Sequence, residues 1–285
     1  MAPALTETVM ATFSFQGLEV YFEDAGKGEP LLVLNGIFMT CASWSSFIPA
    51  FTAKNRLILM DFPDQGKSGK MDREYTLAAQ ADVVLALLGE TRLESVNLMG
   101  ISYGGEVAMK VAASHPERVK KLILSNTAAC TSKWLRDIGR SWEYAFRSRD
   151  GHQFFRTCIP IVYSPQFYEK NYAWIAAREE WFVKFFTPEV YDAFGRLTRS
   201  AETHDERENL GRIAAPALVI SSEYDFVTPL FQQKELVEKI PNAGHVVIPD
   251  AGHAAMYEKP AEFASLVLGF INGNLNIRVV SRGAR

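Results

Sequence analysis

Short apolar runs alternate with helical patterns along most of this chain of 285 residues, and that alternation limits its fold more than any other feature. The runs lie at 31–34, 57–60, 96–99, 122–124, 217–220 and 245–248. The clearest helical spacing between them falls at 76–89, 105–114, 230–239 and 261–271. A strand that is apolar throughout is covered on both faces, and a helical crossover makes its neighbour parallel. The pattern therefore predicts an α/β fold with a mostly parallel central sheet flanked by helices. Ahead of it, "ATFSFQGLEVYFED" alternates around Gly17, the mark of an antiparallel hairpin.

The alternation fails once. From 131 to 205 no good strand pattern appears, only helical stretches broken at Gly151, Pro160, Pro165 and Pro188. This block holds 17 of the chain's 34 aromatic residues, and it reads as a helical cap or lid inserted into a core made of 1–130 and 206–285. Two uses for the aromatics are expected together: a core for the inserted layer itself, and an apolar pocket beneath it. Arg178, Glu179 and Glu180 are the polar residues available for a rim.

The stretch "NLMGISYGGEVAMK" carries the chemistry. Gly100-Ile101-Ser102-Tyr103-Gly104 is a G-x-S-x-G pattern between a strand-like and a helix-like run. A strand turning sharply into a helix pushes a serine hydroxyl outward, and Gly100 and Gly104 leave room for the close approach. A hydroxyl is a poor nucleophile at neutral pH, so Ser102 needs a base oriented by a third group. Asp225 follows the run at 217–220, and His253 stands behind Gly252 after the run at 245–248. Each therefore falls where a parallel sheet delivers its loops to one edge. Among rivals, His245 opens its strand at the far end, Glu223 precedes Asp225 by two residues, and Asp250 belongs to the histidine turn. The chemistry expected is acyl transfer through Ser102, with His253 as base and Asp225 holding the imidazole.

Other classes find no support. Net charge is −3, from 30 basic and 33 acidic residues, which gives no electrostatic case for nucleic acid or an anionic membrane. No run of about 18 apolar residues spans a membrane. The opening "MAPALTETV" lacks the basic and apolar regions of a signal peptide. Cys41, Cys130 and Cys158 are odd in number and without C-x-x-C spacing, which suggests reduced thiols in the cytoplasm. The five histidines are scattered, so neither a metal site nor a cofactor is expected.

From about residue 30 to 275 the chain resembles the α/β-hydrolase fold with a helical lid. The likeness rests on Gly100–Gly104, Asp225, Gly252-His253 and "DFPDQGKSG" at 61–69. That last segment is similar to the family's D-x-P-G-x-G-x-S turn, with Asp64 where glycine is usual. Serine at 102 argues against the members with an aspartate nucleophile, hence against epoxide and haloalkane hydrolysis. The resemblance implies an oxyanion hole formed by the backbone N–H groups of Ile37 and Tyr103, with Gly36 letting the chain turn its amide toward the substrate. Asn35 stands where the family usually has histidine, and is expected to brace this loop. Asn35-Gly36, followed by Thr40 and Ala42-Ser43 before an aromatic, is also similar to a subgroup that includes hydroxyacyl-carrier-protein acyltransferases. The expected function is a serine hydrolase acting on an ester or thioester of a small, largely apolar acyl group, free or carrier-linked. An acyltransferase serving an alcohol or thiol acceptor is the alternative. A non-catalytic hydrolase-like binding protein is a third reading, opposed by the intact serine, aspartate and histidine.

Overall fold

The computed structural model describes residues 8–273. The reading of the chain's first nine residues as free of a leader falls mostly outside them. Eight strands form one sheet: β1 (Thr8–Phe15), β2 (Leu18–Gly26), β3 (Glu29–Leu34), β4 (Asn55–Met60), β5 (Val96–Ile101), β6 (Val119–Ser125), β7 (Ala217–Ser222) and β8 (Ala243–Ile248). Their spatial order is β1-β2-β4-β3-β5-β6-β7-β8. The first two run antiparallel, and every pairing from β4 to β8 is parallel. The hairpin turns at Gln16-Gly17, both at positive φ (52° and 83°), as a two-residue turn matched to strand twist requires.

Helices cover both faces. They are α1 (Ile48–Phe51), α2 (Leu77–Glu90), α3 (Tyr103–Ser114), α4 (Lys133–Ser148), α5 (Gly151–Cys158), α6 (Pro165–Lys170), α7 (Tyr172–Phe185), α8 (Pro188–Ser200), α9 (Leu230–Lys239), α10 (Ala255–Glu258) and α11 (Pro260–Asn272). Strand residues alternate between two cores. Leu32 and Leu34 pack with α2 and α3, while Leu31 and Val33 pack with Trp44, Phe51 and Phe263. Burying each such side chain is worth about 1.5–3 kcal/mol, enough to fix which residues face which side.

Helices α4 to α8 lie between β6 and β7. Their aromatics mostly serve their own packing. Phe146, Phe154, Phe186 and Phe194 stack on one another, and Phe38, from the loop after β3, sits among them with ring centroids 4.8–6.3 Å away for Phe194, Phe154 and Phe146. The loop after β3 is apolar because it plugs the inserted layer. Two ion pairs join that layer to the sheet. Arg196 of α8 grips Asp64 with two bonds of 2.7 and 3.1 Å, and Arg199 reaches Glu74 at 2.6 Å. Asp64 has φ 70°, a conformation that glycine adopts without strain, so its carboxylate is held at a backbone position where glycine would be the natural choice.

Candidate active site

The chain changes direction between β4 and β5, on either side of β3, and the loops that follow β3 and β5 meet there at the carboxyl edge of the sheet. Register fixes the meeting. Leu34 pairs with Gly100, so Asn35–Ile37 runs beside Ile101 and Ser102. Ser102 itself has φ 51° and ψ −120°, a strained conformation for a residue with a side chain, and its N–H bonds the Ser125 carbonyl at 2.9 Å. A Cβ on Gly104 would overlap the carbonyl oxygen of Leu34, and one on Gly100 would overlap that of Gly104. Both glycines are spatial necessities of the turn.

Ser222 pairs with Ile248 at the end of the sheet, and the two segments that continue past them converge on Ser102. Ser102 Oγ lies 2.9 Å from His253 Nε2, and His253 Nδ1 lies 2.9 and 3.0 Å from the two oxygens of Asp225. Asp225 accepts hydrogen bonds only, so Nδ1 carries the proton and Nε2 accepts from the serine hydroxyl. The aspartate is buried and oriented further by the amides of Val227 and Thr228, the Thr228 hydroxyl and the Gln233 amide.

The residues expected around the oxyanion are brought to the same place. Ile37 lines the space in front of Ser102, and Tyr103 opens α3. Neither backbone N–H bonds another described residue. Asn35 is fully buried and points away from that space. It donates to the Met60 carbonyl at 2.8 Å and accepts from the Trp44 indole at 2.8 Å, so it braces the loop from behind. The turn at 61–69 braces it from the side: Gln65 donates to the Gly36 carbonyl at 2.8 Å, and Asp61 accepts from the Cys41 amide at 2.7 Å. In this loop Phe38 adopts positive φ, at 69°, and Gly36 does not. The aromatic cluster holds Phe38 in the turn, and a Cβ on Gly36 would only come into ordinary contact with Ile101 and Ser102, at 3.4 and 3.5 Å.

Of the rivals, His245 is the third residue of β8, since the strand begins at Ala243, and it hydrogen-bonds Ser221 at 2.8 Å, away from Ser102. Glu223 is exposed and accepts the Asp250 amide at 3.0 Å. Sequence reasoning missed several supports. Asn126 donates to the His253 carbonyl at 2.7 Å, and Glu258 accepts the Gly252 amide at 3.0 Å. Thr228, three residues after Asp225, was detectable as an Asx-type turn; Glu258 had no local signal.

Two cavities meet at Ser102. One of about 130 Å³ runs along Glu106, Ile138, Trp142 and Thr198. The other, about 70 Å³, is lined by Ile159, Val162, Tyr163, Phe182, Met256 and His253. Of the residues expected as a rim, Arg178 reaches the second cavity, Glu179 is buried in an ion pair with Arg156, and Glu180 is exposed. Burial pushes the Tyr103 phenol up, against the opposing effect of its hydrogen bond to Ser200 at 2.8 Å. It pushes the Glu106 carboxyl well above the ordinary carboxylate range.

Known proteins carry the same framework. The crystal structure of MGS-M2, an α/β-hydrolase enzyme from a Medee basin deep-sea metagenome library, superposes with a TM-score of 0.91 at 38% identity, over 96% of this chain and all of that one. A pimeloyl-[acyl-carrier protein] methyl ester esterase of Aeromonas hydrophila is 28% identical over 89% of this chain and 100% of its own length. A putative carbamate hydrolase of Azorhizobium caulinodans is 26% identical over 88% of this chain and 94% of its own length. With the model of the alpha/beta hydrolase fold matching residues 29–260, the chain belongs to the α/β-hydrolase family.

Proposed function

We propose that this hydrolase cleaves carboxylic esters or thioesters of small acyl groups through an acyl-enzyme on Ser102. The observation that carries the reading is the continuous chain from the Ser102 hydroxyl through His253 to buried Asp225, with no distance above 3.0 Å. Ser102 Oγ attacks the carbonyl carbon as its proton passes to His253 Nε2. The N–H groups of Ile37 and Tyr103 receive the negative charge that develops on the carbonyl oxygen. As the intermediate collapses, the bond to the leaving group breaks and His253 returns the proton to it. Water then attacks the acyl-enzyme, gives a proton to His253, and Ser102 leaves with that proton. Asp225 keeps the ring in the tautomer these transfers need.

The helical insertion, 131–205, is the part that shapes the substrate space, since Trp142, Tyr163 and Phe182 come from it. Kinship with a carrier-protein ester esterase supports an ester substrate, free or carrier-linked. Three unpaired cysteines fit a cytoplasmic setting. The test is turnover of p-nitrophenyl butyrate together with mass analysis after fluorophosphonate treatment. Wild type should hydrolyse the ester to free acid and gain the adduct at Ser102, and Ser102→Ala should do neither. Near wild-type turnover by Ser102→Ala would sink the reading. Acyl transfer to an added alcohol or thiol in place of free acid would establish the transferase alternative.

A further inference from the structure

Ten buried side-chain polar atoms among the described residues make no hydrogen bond, and three of them, Glu106 Oε2, Trp142 Nε1 and Thr198 Oγ1, belong to residues that line the larger cavity with Ser102. Glu106 is 4% exposed and Trp142 7%. Folded proteins leave few buried polar atoms unpaired, and three around one space beside a reactive hydroxyl form a site that a ligand completes. The chemistry of that ligand follows from theirs. Burial favours the neutral form of the Glu106 carboxyl, and that form can donate and accept. The indole only donates, and the hydroxyl does either. Arg136, Arg140, Arg199, Glu143 and Glu202 share the cavity, but none bonds Glu106. Arg140 is engaged with Asp137, and Arg199 with Glu74 and Glu143. With no cation against Glu106, the position suits a neutral oxygen and not a carboxylate.

The cavity also has a side. His253, which must protonate the leaving group, lines the smaller cavity and not the larger. The leaving group therefore departs through the smaller one, and the acyl group fills the larger. Glu106 follows Ser102 by four residues on α3, about 6 Å along the helix, or roughly five bonds of an extended acyl chain.

We propose that the natural acyl group carries a neutral ketone or hydroxyl oxygen about five bonds from the scissile carbonyl carbon, received by Glu106, Trp142 and Thr198. This narrows the expected largely apolar substrate, and it rests on the acyl-enzyme reading above. The experiment compares kcat/KM for p-nitrophenyl 5-oxohexanoate and p-nitrophenyl hexanoate in the full chain and in Glu106→Gln, Glu106→Leu and Trp142→Phe. Fluorophosphonate labelling of Ser102 checks that each variant is folded. Wild type should prefer the oxo ester about tenfold or more, the worth of pairing an otherwise orphaned buried group. Glu106→Gln, which keeps a donor and an acceptor, should retain most of that preference. Glu106→Leu should bring the ratio near one, and Trp142→Phe should lower it severalfold. A wild-type ratio near one, with both esters hydrolysed and Ser102 labelled, overturns the proposal and leaves the acyl-enzyme reading standing. A high ratio untouched by Glu106→Leu and Trp142→Phe overturns the assignment of these residues. Absence of both hydrolysis and label overturns the two readings together.

Discussion

Replacing Glu106 by glutamine should make the protein more stable, and increasingly so as the pH rises. The carboxyl is buried, unpaired and pushed above its ordinary pKa by desolvation. In the unfolded chain it titrates near the ordinary value of about 4.3. Above that pH the unfolded state releases its proton while the folded state keeps it. The stability Glu106 leaves intact in acid is thus lost as pH climbs toward the folded pKa. The loss runs at about 1.4 kcal/mol for each pH unit in that window. Glutamine has nearly the same shape and does not titrate, so the difference between variant and wild type isolates this one group. His204 and His245, whose pKa values burial lowers, are common to both proteins and cancel. Urea midpoints at pH 5, 6 and 7 give the assay, with equal m-values as the condition for comparing them. The gap between the two proteins should widen from pH 5 upward until the folded pKa is reached, glutamine above. Parallel stability profiles would refute the argument, because they would mean that Glu106 ionises in the folded protein as it does in the unfolded chain.

Asn35→Ala should strand the Met60 carbonyl and the Trp44 indole N–H, at a cost of about 2–5 kcal/mol. If the loop it braces serves the transition state as proposed above, it should also lower kcat more than it raises KM; a kcat unchanged by the substitution removes Asn35 from the site. Arg196→Ala should cost about 3–5 kcal/mol, because Asp64 stays buried without its two guanidinium bonds, left with the Met71 amide and the nearby Lys70 and Tyr75. Adding Asp64→Gly should recover most of that loss, since glycine suits φ 70° there, and strictly additive costs in the double-mutant cycle would disprove the coupling.

The parts of this molecule that were legible in the sequence are those set by neighbours in the chain. The hairpin follows from Gln16-Gly17 and flanking alternation, and the sharp turn at Ser102 from two glycines between a strand pattern and a helix pattern. The order of Ser102, Asp225 and His253 could be read because parallel strands deliver their following loops to one edge. What escaped depends on distant partners. Asp64 and Arg196 are 132 residues apart, and neither local pattern announces the other. Glu106 looks like an ordinary acid in the first turn of a helix until the inserted layer closes over it. Phe38 takes the strained position in the loop after β3, and not Gly36, because five aromatic rings of the insertion hold it there. Those contacts come from residues more than 100 positions away, so no local pattern at 35–38 announces them.

The turn at 61–69 grips two things at once. Asp61 and Gln65 fix the loop that carries Ile37, while Asp64 fixes α8. Force applied to the helix is therefore passed to the loop through a stretch of backbone only four residues long. On the reading proposed above, an acyl group too large for its chamber is expected to push α8 outward and drag on the loop that carries Ile37, so that oversized esters lose kcat before they lose affinity.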